Sequence, residues 1–109
     1  MTVKELTEAA GIECLCIPCP DKEVKGVYIG DLLSWVMGRA EADNVWITIM
    51  SNLNVLAVAS LTDVSCVVLA EGVKLDAEVL KTAEEKCVNV LCSDMSAYDI
   101  AIKLNGIIQ

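Results

Sequence analysis

Three short runs, "NVWITIM" at 44–50, "SCVVLA" at 65–70 and "VNVLC" at 88–92, are almost free of polar residues, and each is followed by a stretch with apolar positions at helical spacing. A strand wetted on one face alternates polar with apolar residues, whereas a strand that is apolar throughout must be covered on both faces. Parallel strands also need a crossover between them, and a helix is the usual one. The chain is therefore expected to be α/β, a three-layer α/β/α sandwich about a mainly parallel central sheet. With 109 residues, 55% of them hydrophobic, and no linker, repeat or low-complexity segment, residues 1–109 form one domain able to bury a core.

Local signals place the other elements. Thr2 and Glu5 have the spacing of a capping box, and Gly11 stands where a left-handed C-cap belongs, which predicts a helix over 3–10. "ECLCI" is short and apolar enough for a strand ending at Pro18. A loop from Cys19 to Gly30 follows, and Asp31 is a natural N-cap for "LLSWVMGRA". Leu32, Leu33, Val36, Met37 and Ala40 then line the core face, with Trp35 pointing well away from it. "NLNVLAVASLT" is apolar all round, a property of an enclosed helix or of another strand, and is read as helix. Glu71 and Gly72 end the run at 65–70, and Asp76 caps "AEVLKTAEEK" with Ala77, Leu80 and Ala83 inward. Ser96 opens a last helix with Ala97, Ile100, Ala101 and Leu104 on one face.

Composition removes several function classes. Sixteen acidic against eight basic residues give a net charge of -8 with no Lys/Arg cluster, which argues against a nucleic-acid partner. The apolar runs fall far short of the ~20 residues a membrane helix needs. The N-terminus "MTVKELTEAAG" has no apolar signal region, so the expected location is the cytoplasm. Thiols are kept reduced there, and the six cysteines are expected to be small buried hydrophobes rather than disulfide partners. Cys14, Cys16 and Cys19 lie close together, the last two at CxxC spacing. A structural zinc site takes a second close pair, however, and Cys66, Cys87 and Cys92 stand alone. Cys14 and Cys16 are expected on one face of a core strand, with no metal, and a metal or redox role for the three is the alternative. The chain has no histidine, which removes the commonest general base and the Ser-His and Cys-His nucleophile pairs. With neither GxxxxGK[ST] nor GxGxxG present, neither catalysis nor a bound cofactor is expected.

Ligands of parallel α/β sheets bind outside the carboxyl ends of the strands. This selects Ser51, Asn52 and Asn54, then Glu71 with Gly72, then Ser93 and Asp94 as candidate ligand-binding residues. Serine, asparagine and aspartate at such positions also cap the following helix, so a capping role stands beside ligand contact for each. Helix N-terminal amides favour a small anion, and the negative charge of the chain opposes one.

"DKEVKGVYIGDLLS", followed by "WITIMSNLNVLAVASLTD" and "VVLAEG", resembles the DRTGG domain, a small module found beside CBS domains in some bacterial proteins. A related fold is that of the N-terminal domain of HPr kinase/phosphatase, whose catalytic domain has no counterpart in this chain. The likeness covers nearly the whole sequence. Asp21 and Gly26 match the residues that name the family, whereas Lys22 stands for the arginine, Lys25 for the threonine and Val27 for the second glycine. The resemblance implies a mixed-sheet α/β/α sandwich, a tendency to dimerise and a regulatory role. It also singles out the loop, adding Asp21, Gly26, Gly30 and Asp31 to the candidate ligand-binding residues. Gly26 and Gly30 are expected to take backbone angles closed to other residues.

The expected function is a non-catalytic cytoplasmic regulatory or interaction domain that works as a homodimer, with Trp35 and the apolar helix at 53–61 offering surface to a symmetric partner. A small-ligand sensor, with a nucleotide as the first molecule to try, is the alternative, and a metal or redox accessory role for the cysteines comes third.

Overall fold

The computed structural model describes residues 1–108. At its start the Thr2 hydroxyl accepts from the Glu5 amide at 3.2 Å while the Glu5 carboxylate accepts from the Thr2 amide at 2.9 Å. Two orphan donors of the first turn are thus satisfied, a gain of about 0.5–2 kcal/mol for such caps, and helix α1 runs Val3–Ala10 to a left-handed Gly11. The remaining elements follow as β1 (Glu13–Cys16), β2 (Val27–Ile29), α2 (Leu33–Arg39), β3 (Val45–Thr48), α3 (Leu53–Thr62), β4 (Cys66–Leu69), α4 (Ala77–Glu85), β5 (Val90–Cys92) and α5 (Ala97–Asn105).

The five strands form one sheet in the order β1-β5-β4-β3-β2, with β2 to β5 mutually parallel and β1 antiparallel to β5 at the edge. Every residue of β3, β4 and β5 is buried, as their unbroken apolar character requires. One side of the sheet packs on Val36 of α2, Val55, Leu56 and Ala59 of α3, and Val79 and Ala83 of α4. The other packs on Val3, Leu6 and Ala10 of α1 and on Ile100 and Leu104 of α5. This is the expected three-layer α/β/α sandwich with a mixed, mainly parallel sheet. Trp46, fully buried, donates from Nε1 to the Gly30 carbonyl at 2.9 Å, so its ring fills the core without stranding its polar atom.

Several local expectations are corrected. The loop from Cys19 to Gly30 contains β2, a three-residue strand paired with β3. Asp31 does not cap α2: the N-cap is Leu32, without a side-chain bond, and the Asp31 carboxylate accepts from the Thr48 hydroxyl at 2.7 Å and the Ile49 amide at 3.0 Å. Gly26 has φ +74 as expected, but Gly30 has no positive φ. Of the α2 stripe, Val36 is buried while Leu32 and Met37 are exposed, and Ala77 of α4 is exposed with Val79 taking the inward position. Cys14 is exposed rather than core, because a register shift between Cys14 and Cys16 breaks the alternation that would put them on one face. Cys19 and Cys87 are not separate thiols but a disulfide, with Cα atoms 5.8 Å apart. The apolar helix is α3, as read, and it is only partly enclosed: Val55, Leu56, Val58 and Ala59 are buried, Leu53 and Leu61 exposed.

Candidate functional site

Helices α2, α3 and α4 leave their strands toward one face, while α5 leaves β5 toward the other. The chain therefore parts in opposite directions at the carboxyl ends of β4 and β5, which is where open α/β sheets leave a crevice. Beyond β4, Glu71 and Gly72 both have positive φ, +60 and +76, and the Val73 amide closes the turn on the Ala70 carbonyl at 3.2 Å. The turn is sewn to the segment after β5: the Glu71 amide donates to Met95 O and the Gly72 amide to Ser93 O, each at 2.9 Å. The φ of +76 at Gly72 is a conformation that favours glycine, and a Cβ there would also crowd the Asp94 carboxylate at 3.1 Å.

A cavity of about 180 Å³ lies there, lined by Gly11, Ile12, Glu13, Gly72, Lys74, Cys92, Ser93 and Asp94. Lys74 reaches Glu13 at 3.3 Å, and this hydrogen bond together with the Glu13 charge holds the Lys74 ammonium pKa above its ordinary value. Ser93 Oγ accepts from the Met95 amide at 3.1 Å and so shapes its own loop.

A wider depression at the same edge, about 550 Å³, lies between the starts of α3 and α4 and is lined by Ser51, Asn52, Leu53, Asn54, Asp76, Glu78 and Val79. Its two caps are occupied: Asn52 Oδ1 accepts from the Asn54 amide at 3.0 Å, and Asp76 Oδ1 from the Val79 amide at 3.0 Å. Glu13, Asp31, Glu71, Asp76, Glu78 and Asp94 all belong to the segments at this edge, against Lys74. Such a field disfavours a strongly anionic ligand and favours a neutral or cationic one.

Eight of the candidate residues thus share the carboxyl edge but fall into three places. Ser93 and Asp94 line the crevice with Glu71 beside it, joined by its amide to Met95 O but not lining it; Ser51, Asn52 and Asn54 lie at the depression, and Gly30 and Asp31 are tied into β3 by the bonds to Trp46, Thr48 and Ile49. Asp21 and Gly26 lie at the opposite edge, because β1 runs antiparallel and delivers the chain to the amino-terminal ends of the parallel strands. There a cleft of about 540 Å³ is lined by Asp21 and Lys22 together with Ser60, Asp63, Lys86 and the Cys19–Cys87 disulfide. Lys22 is bonded to the Asp63 carboxylate and to the Val64 carbonyl at 3.0 Å, and so clamps the left-handed end of α3. Trp35 is 53% exposed, with the Arg39 guanidinium 3.8 Å above its ring centroid.

Asn89 escaped the sequence reading. It is 1% exposed, and its carboxamide accepts from the Cys19 amide at 2.9 Å and donates to the Cys19 and Ser65 carbonyls at 2.8 and 2.9 Å. The signal was an asparagine inside an otherwise apolar run, a position that demands buried partners.

The model of the DRTGG domain family matches residues 5–107. No curated protein matches the chain in sequence. Among solved structures, the fold is similar to the CBS and DRTGG domains of the regulatory region of Clostridium perfringens pyrophosphatase, complexed with the activator diadenosine tetraphosphate. The TM-score is 0.72 at 12% identity, over 94% of this chain and 45% of that one, so this chain spans under half the length of its neighbour. At that identity the likeness establishes the fold.

Proposed function

The chain belongs to the DRTGG domain family, and from that membership we propose that it is a regulatory module that acts by association, with a second copy of itself as its partner and no bond-making step of its own. The observation that carries this reading is the apolar surface that α2 leaves uncovered, where Leu32, Trp35 and Met37 are each at least 44% exposed. Large apolar side chains left in water mark interaction surfaces, and a two-fold contact covers such a surface with a second copy. Sedimentation at tens of micromolar tests it. A dimer that Trp35→Glu converts to a monomer with an unchanged far-ultraviolet circular dichroism spectrum is expected; a wild-type monomer at that concentration overturns the reading.

A second reading, a small-ligand sensor, is favoured by the crevice at the strand ends, which Ser93 and Asp94 line together with Glu13 and Lys74. The diadenosine tetraphosphate bound by the pyrophosphatase region suggests nucleotides as the first class to try, with the uncharged nucleosides beside them in the panel because the acidic edge opposes phosphate. Thermal shift against a nucleotide panel tests it: a saturable rise abolished by Asp94→Ala supports sensing, since a ligand of the folded state stabilises by mass action. No shift with any nucleotide leaves association as the function.

A further inference from the structure

We propose that Cys19 and Cys87 are a reversible dithiol–disulfide couple, a modification site at the amino-terminal edge of the sheet that exchanges with low-molecular-weight disulfides. The two residues are 68 positions apart in sequence and bonded in the fold. Their proximity does not depend on the bond. Asn89 grips both the amide and the carbonyl of Cys19 from a fully enclosed position, while Cys87 is placed by its left-handed backbone, φ +58, and by the Val88 amide donating to Ala83 O at 2.9 Å. After reduction the thiols therefore remain poised to close again.

Access separates this pair from the other cysteines. Cys87 is exposed and Cys19 half-buried, and both line the cleft of about 540 Å³, which is large enough to admit a small thiol or disulfide. Cys16, at CxxC spacing from Cys19, is instead turned into the core with its Sγ donating to the Val88 carbonyl at 3.6 Å. Cys66 and Cys92 are buried too, and Cys14 is exposed but free. In the exchange one protein thiolate attacks a small disulfide RSSR, forming a mixed disulfide and expelling RS⁻. The second protein thiolate then attacks the mixed disulfide, closes the Cys19–Cys87 bond and expels the second RS⁻. Two protein thiols are oxidised and one RSSR is reduced to two RSH, with the two protons passing to the departing thiolates.

The test equilibrates the full chain in mixtures of reduced and oxidised glutathione, traps free thiols by alkylation and maps the labels by mass spectrometry. Labels on Cys19 and Cys87 are expected to disappear together as the oxidised probe rises and to return on adding reductant. The far-ultraviolet circular dichroism and Trp46 emission should stay constant, and Cys14 should vary independently. Cys87→Ser and Cys19→Ser should each leave the partner cysteine labelled or singly glutathionylated. Full labelling of both residues across the whole range overturns the proposal, as does independent behaviour of the two. Loss of the native spectrum on reduction also overturns it, because the bond would then be a structural staple.

Discussion

Asn89 shows how much a single buried polar side chain can hold. Its three hydrogen bonds link the segment after β1 to the start of β4 through a position with essentially no contact with water. Asn89→Ala leaves the Cys19 amide and carbonyl and the Ser65 carbonyl without those partners, and a buried polar group left unsatisfied costs about 1–3 kcal/mol. Denaturant unfolding should therefore show a stability loss of about 2 kcal/mol or more; a loss too small to measure would mean that water replaces the carboxamide. Cys66 acts through protonation instead. Burial pushes its thiol from the ordinary 9.0 up to about 12. A group whose folded pKa is raised contributes its full stability below the unfolded pKa and loses it as the pH climbs toward the folded one. Melting temperatures should therefore fall between pH 9.0 and about 12, and the fall should be shallower in Cys66→Ala.

At the scale of elements, the turn into β2 depends on Gly26. Its φ of +74 is in the left-handed region, and a Cβ there would meet Asn44 Nδ2 at 3.1 Å, the same nitrogen that donates to the Lys25 carbonyl at 2.8 Å. Gly26→Val is expected to cost about 1–3 kcal/mol from the backbone alone, with Gly26→Ala between it and wild type; an unchanged melting temperature in Gly26→Val would refute the account. The elements legible in the sequence are those whose local pattern and tertiary setting agree. Strands β3, β4 and β5 are apolar because both faces are covered, and α1, α4 and α5 carry caps that act as their spacing implies. Strand β2 was hidden because it is an edge strand of three residues, with Val27 and Ile29 exposed, inside a charged loop. Asp31 misled because a carboxylate before a helix and one reaching across to a neighbouring strand look alike in sequence. The carboxyl-edge candidates followed from topology alone, whereas the position of Asp21 and the pairing of Cys19 with Cys87 depend on the antiparallel entry of β1.

For the molecule as a whole, the two tryptophans separate association from folding. Trp46 is fully buried and Trp35 is half in water beneath Arg39. Acrylamide should quench Trp35 and spare Trp46 in dilute solution, and the quenchable fraction should fall as concentration rises if a second copy covers the Trp35 surface; a quenchable fraction independent of concentration would speak against it. The two rims of the sheet bear on how far such self-contact can go. The register of β1 slips between Cys14 and Cys16 and the strand is followed by Pro18 and Pro20, while β2 offers only three residues of open backbone. Neither rim is long or flat enough to template strand after strand from further molecules. Growth of filaments by strand addition is thus disfavoured by the architecture itself, and any contact between copies has to be made through side chains rather than through open backbone.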